Sequence, residues 1–212
     1  MIESIINLDK QVFYFINVGL SNPITDFAMP IITNGRIWLP IYISLFIYLI
    51  FFNHLKSDEY LSRNNQLNYF KDLLQYNKNG FMIAGLVAIS AILADQISAH
   101  LIKDLVGRHR PCQELQNIHL LVSCGSGKSF PSAHSTNNFA AAVILSHFFK
   151  NKRFIFYSIS SIVALSRVFV GVHYPIDILT GAILGSLISI FLLYVYKKVE
   201  MAKKLNIKST TK

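Results

Sequence analysis

Three short segments of the sequence combine cationic, histidine and carboxylate side chains that suit chemistry on a phosphate group. They contain Lys103, Arg110 and Pro111 in the first, Pro131, Ser132, Ala133 and His134 in the second, and Ser166, Arg167, His173 and Asp177 in the third. Lysine and arginine neutralise phosphoryl oxygens, and the planar arginine fork binds two oxygens at once. Histidine can act as a base, a nucleophile or a proton donor. These residue types predict phosphoryl-group chemistry.

The second segment predicts an anion site at the start of a helix. Pro131 followed by Ser132 is typical of a helix start, with Ser132 as the cap. The backbone N–H groups of Ala133 and His134 would then be free to bind an anion, which the helix dipole also favours. The His134 side chain could donate a proton to a leaving oxygen.

The third segment predicts a reacting pair. Pro175 suits the first turn of a helix, and Asp177 stands where a negative charge is favoured. His173 and Asp177 are four residues apart around that helix start, so the carboxylate can hold one imidazole nitrogen and leave the other free. Phosphoryl transfer mostly requires positioning and charge neutralisation, so we expect neither a metal ion nor another cofactor.

The elements that position these segments are predicted to be membrane-spanning helices. Hydrophobic residues make up 52% of the 212 residues and charged residues only 15%, against about 25% charged in a soluble domain. Five stretches approach the roughly 20 apolar residues that a span needs, at 37–52, 81–102, 132–149, 154–172 and 178–196. Residues 3–20, with apolar positions at helical spacing among charges, are typical of an interfacial helix. We predict an all-α, polytopic membrane helix bundle that forms a single domain over residues 1–212.

The charge distribution predicts how this bundle is oriented. The loop 54–79, the turn 150–153 and the tail 197–212 hold 13 basic and four acidic residues, and the rest of the chain has no net charge. Positive charge stays in the cytoplasm during insertion. We therefore expect a multi-pass protein of the cell membrane with its C-terminal tail inside and the 103–131 loop outside. Cys112 and Cys124 lie in that outer loop, where a disulfide can persist; a bridge and two free thiols both stay open.

The order and spacing of the three segments resemble the signature of the type 2 phosphatidic acid phosphatase superfamily, K-x6-R-P, P-S-G-H and S-R-x5-H-x3-D. The match runs from about residue 81 to residue 196. The resemblance implies an outward-facing site that removes phosphate from a lipid phosphate. By position it implies that His173 forms a phosphohistidine, that Asp177 orients it and that His134 protonates the leaving group. It also implies that the phosphoryl oxygens are held by Lys103, Arg110, Ser132, Arg167 and the backbone of Ala133.

Two features of small residues bear on this reading. Ala133 stands where the family pattern has glycine, which matters only if the backbone there needs a positive φ. Gly181 and Gly185 have the spacing at which two membrane helices pack closely.

Several functions remain open at this point. Undecaprenyl diphosphate, phosphatidylglycerophosphate and phosphatidate all fit as substrates, and the oligomeric state is not specified. A lipid or anion transporter could use the same cations without a nucleophile, although the separate His134 and His173 favour chemistry. We expect a lipid phosphate and membrane lipids as partners, and no nucleic acid. Nucleotide binding is not expected either, because Val122 stands where a P-loop ending in Gly-Lys-Ser requires glycine.

The other polar residues near the segments have simpler interpretations. Asp104, Arg108 and His109 fit a solvated loop. Asp95 and His100 lie inside the second predicted span, where a hydrogen bond to a neighbouring helix is the simpler explanation.

Overall fold

The computed structural model describes residues 2–49 and 66–210, and this part of the chain is helical with no strand. Its α-helices are α1 (Ile2–Tyr14), α2 (Pro23–Thr33), α3 (Gly35–Ile47), α4 (Gln66–Asp95), α5 (Lys103–Val106), α6 (Pro111–Glu114), α7 (Ala133–Phe148), α8 (Arg153–Phe169) and α9 (Pro175–Thr210). π-helical turns follow α1 at Phe15–Gly19 and α4 at Gln96–Ile102, and a 3₁₀ turn at Lys150–Lys152 separates α7 from α8. The end of the first predicted span, at 50–52, lies outside the described residues.

The predicted spans correspond to α3, α4, α7, α8 and α9, and the all-helical class is confirmed. Two stretches of the described chain are long and apolar enough to cross a membrane, Gly80–Glu114 and Pro175–Lys203, with a third if α2 and α3 form one broken span. α7 and α8 have 16 and 17 residues, and at about 1.5 Å per residue they are shorter than a hydrocarbon core of about 30 Å. The count of five spans stays a prediction.

The chain divides into two units, of which the larger contains Met1–Thr33 and Ser90–Lys212. In it α9 packs mainly on α7, while α8 packs on both α7 and α2. Its buried core joins the first helix to the last two through Phe13, Ala164, Val168, Tyr174 and Ile178. The smaller unit, Asn34–Ile89, contains α3, where the rings of Trp38 and Tyr42 stack with their centroids 5.9 Å apart.

Close packing of α7 on α9 depends on two glycines, as their spacing predicted. A Cβ added to Gly185 would lie 2.0 Å from the carbonyl oxygen of Thr136, and one added to Gly181 would lie 2.7 Å from that of Ser132. Only a residue without a side chain lets the two backbones approach so far. The start of α7 is therefore held directly against α9.

The N-terminal helix and the π-helical turn that follows it bury two polar side chains. Asp9, Phe13 and Asn17 are buried, and their four-residue spacing puts them on one helical face. Ile5, Leu8 and Phe15 lie outward and are 50%, 59% and 64% exposed. The predicted helix is confirmed, and its position at the membrane interface stays a prediction.

Candidate active site

The third segment places His173 against Asp177 at the turn between α8 and α9. The N–H groups of Val172 and His173 both donate to the carbonyl of Arg167, which wraps the chain around the end of α8. Gly171 has φ 85°, and a Cβ there would lie 3.0 Å from the carbonyl oxygen of His119. A glycine is therefore required at this turn.

The two predicted reacting side chains are buried and in contact. Nδ1 of His173 lies 3.4 Å from Oδ2 of Asp177, in direct contact with the carboxylate but not aligned for a hydrogen bond. Burial lowers the pKa of His173 to about 4, against the opposing effect of the Asp177 carboxylate. The imidazole is therefore neutral near pH 7, and with Nδ1 towards the carboxylate its Nε2 is the nitrogen that remains for chemistry.

Arg108 has a different environment from the solvated one that the sequence predicted. Its side chain is only 20% exposed, and its guanidinium donates to Oδ1 of Asp177 over 2.8 Å and to Oδ2 of Asp9 over 2.6 Å. The prediction that Arg108 is solvated was wrong, because the sequence does not show that the N-terminal helix brings the Asp9 carboxylate to it. His109 and Asp104, its companions in that prediction, are exposed.

The predicted phosphate-binding cations lie together. The charges of Arg110, Arg167 and Asp177 all act on Lys103, and those of Arg167 and Arg110 act on His173. Cations that are close together in a partly buried site repel one another, and a bound anion compensates this repulsion. The arrangement is suited to a phosphoryl group.

Arg110 is held by the glycine-containing loop that follows it. Its Nε donates to the carbonyl of Gly127 over 2.9 Å and its Nη1 to that of Cys124 over 3.0 Å. A Cβ on Gly125 would lie 3.7 Å from the same Nη1. A disulfide joins Cys112 to Cys124 and closes this loop. The Gly-Ser-Gly sequence thus lies against the guanidinium of Arg110.

Arg167 meets a residue that the sequence analysis did not single out. Its Nη1 donates to the hydroxyl of Thr33, the last residue of α2, while its Nε is buried and has no hydrogen-bond partner among the described residues. The backbone of Thr33 also lies within hydrogen-bonding reach of the His134 ring. No sequence signal marks Thr33, because its partners are far away along the chain.

The second segment meets the third through the backbone. The N–H of Ser132 donates to the carbonyl of Asp177 over 3.0 Å. Ser132 is the residue before α7, as predicted, but its hydroxyl makes no capping hydrogen bond and is buried without a partner in the described chain. Ala133 begins α7 with a negative φ, since Asn117 is the one described non-glycine residue with a positive φ. Alanine is unstrained there.

His134 faces the same site as the third segment. The charges of Arg167 and Lys103 act on its imidazole, and so does that of His173 when its ring is protonated. The two histidines, which the sequence places on different helices, therefore lie on one side of the bundle. Asp95 instead accepts a long hydrogen bond of 3.5 Å from Asn137 of α7, the contact between helices that was predicted, and His100 is exposed.

Within the residues that the structure describes, no three histidine, cysteine or carboxylate side chains are grouped so as to hold a metal ion. The positive charges of the site come from side chains.

Comparison with known proteins identifies the family. Residues 84–201 match the profile of the PAP2 superfamily. The chain belongs to this superfamily. A lipid A 4'-phosphatase of Bacteroides thetaiotaomicron is 30% identical to it over 192 residues, which cover 87% of this chain and 75% of the relative. The bacitracin transport permease protein BcrC of Bacillus licheniformis is 28% identical over 127 residues, which cover 60% of this chain and 62% of the relative.

The crystal structure of Aquifex aeolicus LpxE shares the fold of this PAP2 protein. It superposes with a TM-score of 0.66 at 21% identity, over 88% of this chain and 95% of the other. The resemblance seen in the three segments is thus confirmed. Members of the PAP2 superfamily, among them the lipid A 4'-phosphatase relative, are phosphatases of lipid phosphate esters.

Proposed function

We propose that this protein hydrolyses a phosphate ester of a membrane lipid at the outer face of the cell membrane, through a phosphohistidine on His173. The observation that supports this most directly is the buried contact of 3.4 Å between His173 and Asp177. An imidazole that is neutral near pH 7 and held at Nδ1 presents a lone pair at Nε2. Attack by that nitrogen requires no prior loss of a proton.

In the first step Nε2 of His173 attacks phosphorus, the N–P bond forms and the P–O bond to the lipid breaks. His134 gives its proton to the departing lipid oxygen. In the second step His134 takes a proton from water, the water oxygen attacks phosphorus and the N–P bond on His173 breaks. The products are the dephosphorylated lipid and inorganic phosphate, and Asp177 balances the charge on His173 throughout.

The phosphoryl oxygens would be held by Lys103, Arg110 and Arg167 and by the start of α7. The hydroxyl of Ser132 and Nε of Arg167 are buried donors without a partner in the described chain, so both can bind a phosphoryl oxygen. The helix start adds the N–H of Ala133 and the dipole of α7. Such donors stabilise the charge that spreads over the oxygens in the transition state.

The substrate that we place first is a lipid A 4'-phosphate. The lipid A 4'-phosphatase of Bacteroides thetaiotaomicron aligns with 87% of this chain, which is far more than the stretch that holds the three segments. Undecaprenyl diphosphate, phosphatidylglycerophosphate and phosphatidate present the same terminal phosphoryl group and remain alternatives. All four candidate substrates must place a phosphoryl group within reach of His173 while their lipid chains stay in the bilayer.

The orientation of the site follows from the charges of the loops. Residues 54–79, the 150–153 turn and the C-terminal tail hold all of the excess positive charge, which favours a cytoplasmic position for them. The three segments lie at the opposite ends of these helices. Labelling of single cysteines with a reagent that does not cross membranes tests this, because a cysteine at exposed position 109 should react in intact cells and one at position 198 should not.

The experiment that tests the proposed function measures inorganic phosphate released by the detergent-solubilised protein from each of the four lipid phosphates. We expect His173→Ala to lower the rate by about 10³-fold or more, which is the order expected for loss of a nucleophile. His147→Ala is the matched control for a histidine replacement. His147 lies in the last turn of α7, whereas the site is at the start of that helix. Retained turnover in His173→Ala would contradict the phosphohistidine.

Transport is the second candidate, because one relative is named a transport permease. It predicts movement of lipid across reconstituted vesicles with no phosphate release from any substrate. Measuring phosphate release and lipid movement on the same vesicles separates the two functions.

A further inference from the structure

We infer that Asp9 and Arg108 are positioning residues that hold the Asp177 carboxylate against His173, so that the N-terminal helix is part of the active site. This inference rests on the proposed function, in which His173 is the nucleophile. Arg108 is at a variable position of the first segment, and Asp9 lies outside all three segments, 99 residues before Arg108 in the chain.

The guanidinium of Arg108 joins two buried carboxylates. Nη1 donates to Oδ1 of Asp177 over 2.8 Å and Nη2 to Oδ2 of Asp9 over 2.6 Å, and both carboxylate side chains are fully buried. The face of the guanidinium lies 3.9 Å from the centre of the Tyr174 ring. The two N–H donors have a fixed spacing in one plane, so the position of Asp9 determines that of the Asp177 carboxylate.

Each oxygen of Asp177 has a separate partner. Oδ1 accepts from Arg108, while Oδ2 accepts from the N–H of Tyr174 over 2.9 Å and lies 3.4 Å from Nδ1 of His173. Loss of the Arg108 contact frees Oδ1, and the carboxylate can then turn away from the imidazole. The imidazole of His173 would then lose the contact at Nδ1 that leaves Nε2 as the nitrogen facing phosphorus.

Asp9 also holds the start of the helix that bears Asp177. Its Oδ1 accepts from the N–H of Ile176 over 2.9 Å, one of the N–H groups at a helix start that have no partner within the helix. The next residue, Lys10, pairs with Glu114, which accepts from the Tyr174 hydroxyl over 3.0 Å. Two adjacent residues of α1 thus anchor the chain directly after His173, at Ile176 and, through Glu114, at Tyr174.

The charges favour the same role. Asp177 faces the cations of Arg108, Lys103 and Arg110, together with His173 and Tyr174, and Asp9 meets it through Arg108. The guanidinium between the two buried carboxylates compensates their negative charges. Without it the two carboxylates would repel one another, and Asp177 would move away from the imidazole.

The test compares Asp9→Asn, Arg108→Gln and Arg108→Lys with the wild type in the phosphate-release assay. We expect kcat to fall about 100-fold in Arg108→Gln and about 10-fold in Asp9→Asn, with KM within about threefold, because positioning acts on the reacting step. Arg108→Lys should recover part of the loss. The double variant should be no more than about threefold slower than Arg108→Gln, because both changes break one chain of contacts.

The split between kcat and KM, together with the partial recovery in Arg108→Lys, separates positioning from a general loss of structure. Both parameters should stay at the wild-type values in Arg153→Gln, the control at an exposed arginine. Asp104→Asn is the control for Asp9→Asn. Should Arg108→Gln fail to fold, Asp9→Asn still gives the same readouts, since asparagine keeps an acceptor for the N–H of Ile176.

The results distinguish the inference from the function on which it rests. Wild-type kcat in Asp9→Asn and Arg108→Gln, with His173→Ala inactive, would overturn the positioning role alone. Turnover retained in His173→Ala would overturn the proposed function itself.

Discussion

Replacement of Gly185 by alanine tests the contact between α7 and α9 on which the site depends. The added Cβ would lie 2.0 Å from the carbonyl oxygen of Thr136, 2.9 Å from its carbonyl carbon and 3.0 Å from the N–H nitrogen of Ala140. All three atoms belong to the backbone of the facing helix, so no side chain can rotate to make room. Ordinary contact begins at 3.4 Å, and the helices must therefore separate by about 1.4 Å at this point.

Both stability and activity should fall. Overpacking of a buried site typically costs about 1–3 kcal/mol, and a backbone clash of this depth belongs at or above the upper end, so we expect about 3 kcal/mol less free energy of unfolding. Thr136 donates from its N–H and its hydroxyl to the carbonyl of Ser132. A displacement of about 1 Å at a reacting site can cost about 100-fold in rate, and we expect kcat to fall by that order.

The assay is unfolding in mixed detergent micelles followed by circular dichroism, with phosphate release measured on the folded fraction. Gly85→Ala is the matched control, because that glycine is inside α4 and a Cβ there would meet nothing within 4 Å. Alanine is the better helix former by about 1 kcal/mol, so the control should be as stable as the wild type or more so. If Gly185→Ala matched the control in both measurements, α7 and α9 would not be packed as described.

Three other perturbations test the surroundings of the site. Burial lowers the pKa of His173 to about 4, so its ¹⁵N signals should stay those of a neutral ring as the pH falls from 7 to 5 and change near pH 4; protonation near pH 6.5 would contradict this. Replacing Cys112 and Cys124 together by serine opens a loop whose closure contributes about 3 kcal/mol, and should lower the melting temperature and raise KM several-fold; no change in either would be the contrary result. Thr33→Val removes the hydroxyl that holds Arg167 and should raise KM about tenfold, with Thr33→Ser close to wild type, whereas equal KM values in the two variants would exclude that role.

The parts of the site that the sequence predicted are those encoded by short local spacings. Pro175 begins a helix and His173 meets Asp177, because four residues around a helix start leave few alternatives. The Ser132 position was also predicted, but the hydroxyl makes no capping bond because the backbone there is instead joined to Asp177. The local pattern specifies where a helix begins, and the tertiary contact determines what its first residues do.

The residues that the sequence could not predict are joined to the site over long distances in the chain. Asp9 contacts a residue 99 positions away, and Thr33 one that is 134 positions away. The apolar spacing of the N-terminal helix predicted a helix but gave no information about which face is buried, and Asp9 is on the buried face. Arg108 was predicted to lie in a solvated loop, because the sequence does not show that the Asp9 carboxylate is beside it. Pairing of Cys112 with Cys124 was open for the same reason, since spacing alone does not bring two sulfur atoms together.

Identification of the phosphorylated residue is the most direct test of the mechanism. The protein is mixed with a ³²P-labelled lipid phosphate, quenched in alkali to preserve a phosphohistidine, and digested with trypsin. His173 and His134 fall in different peptides, because cleavage after Arg167 and after Lys128 separates them. We expect the label on the peptide that begins at Val168, and none in His173→Ala. Label on the peptide that contains His134, or substrate turnover with no labelled protein at any time, would contradict the account.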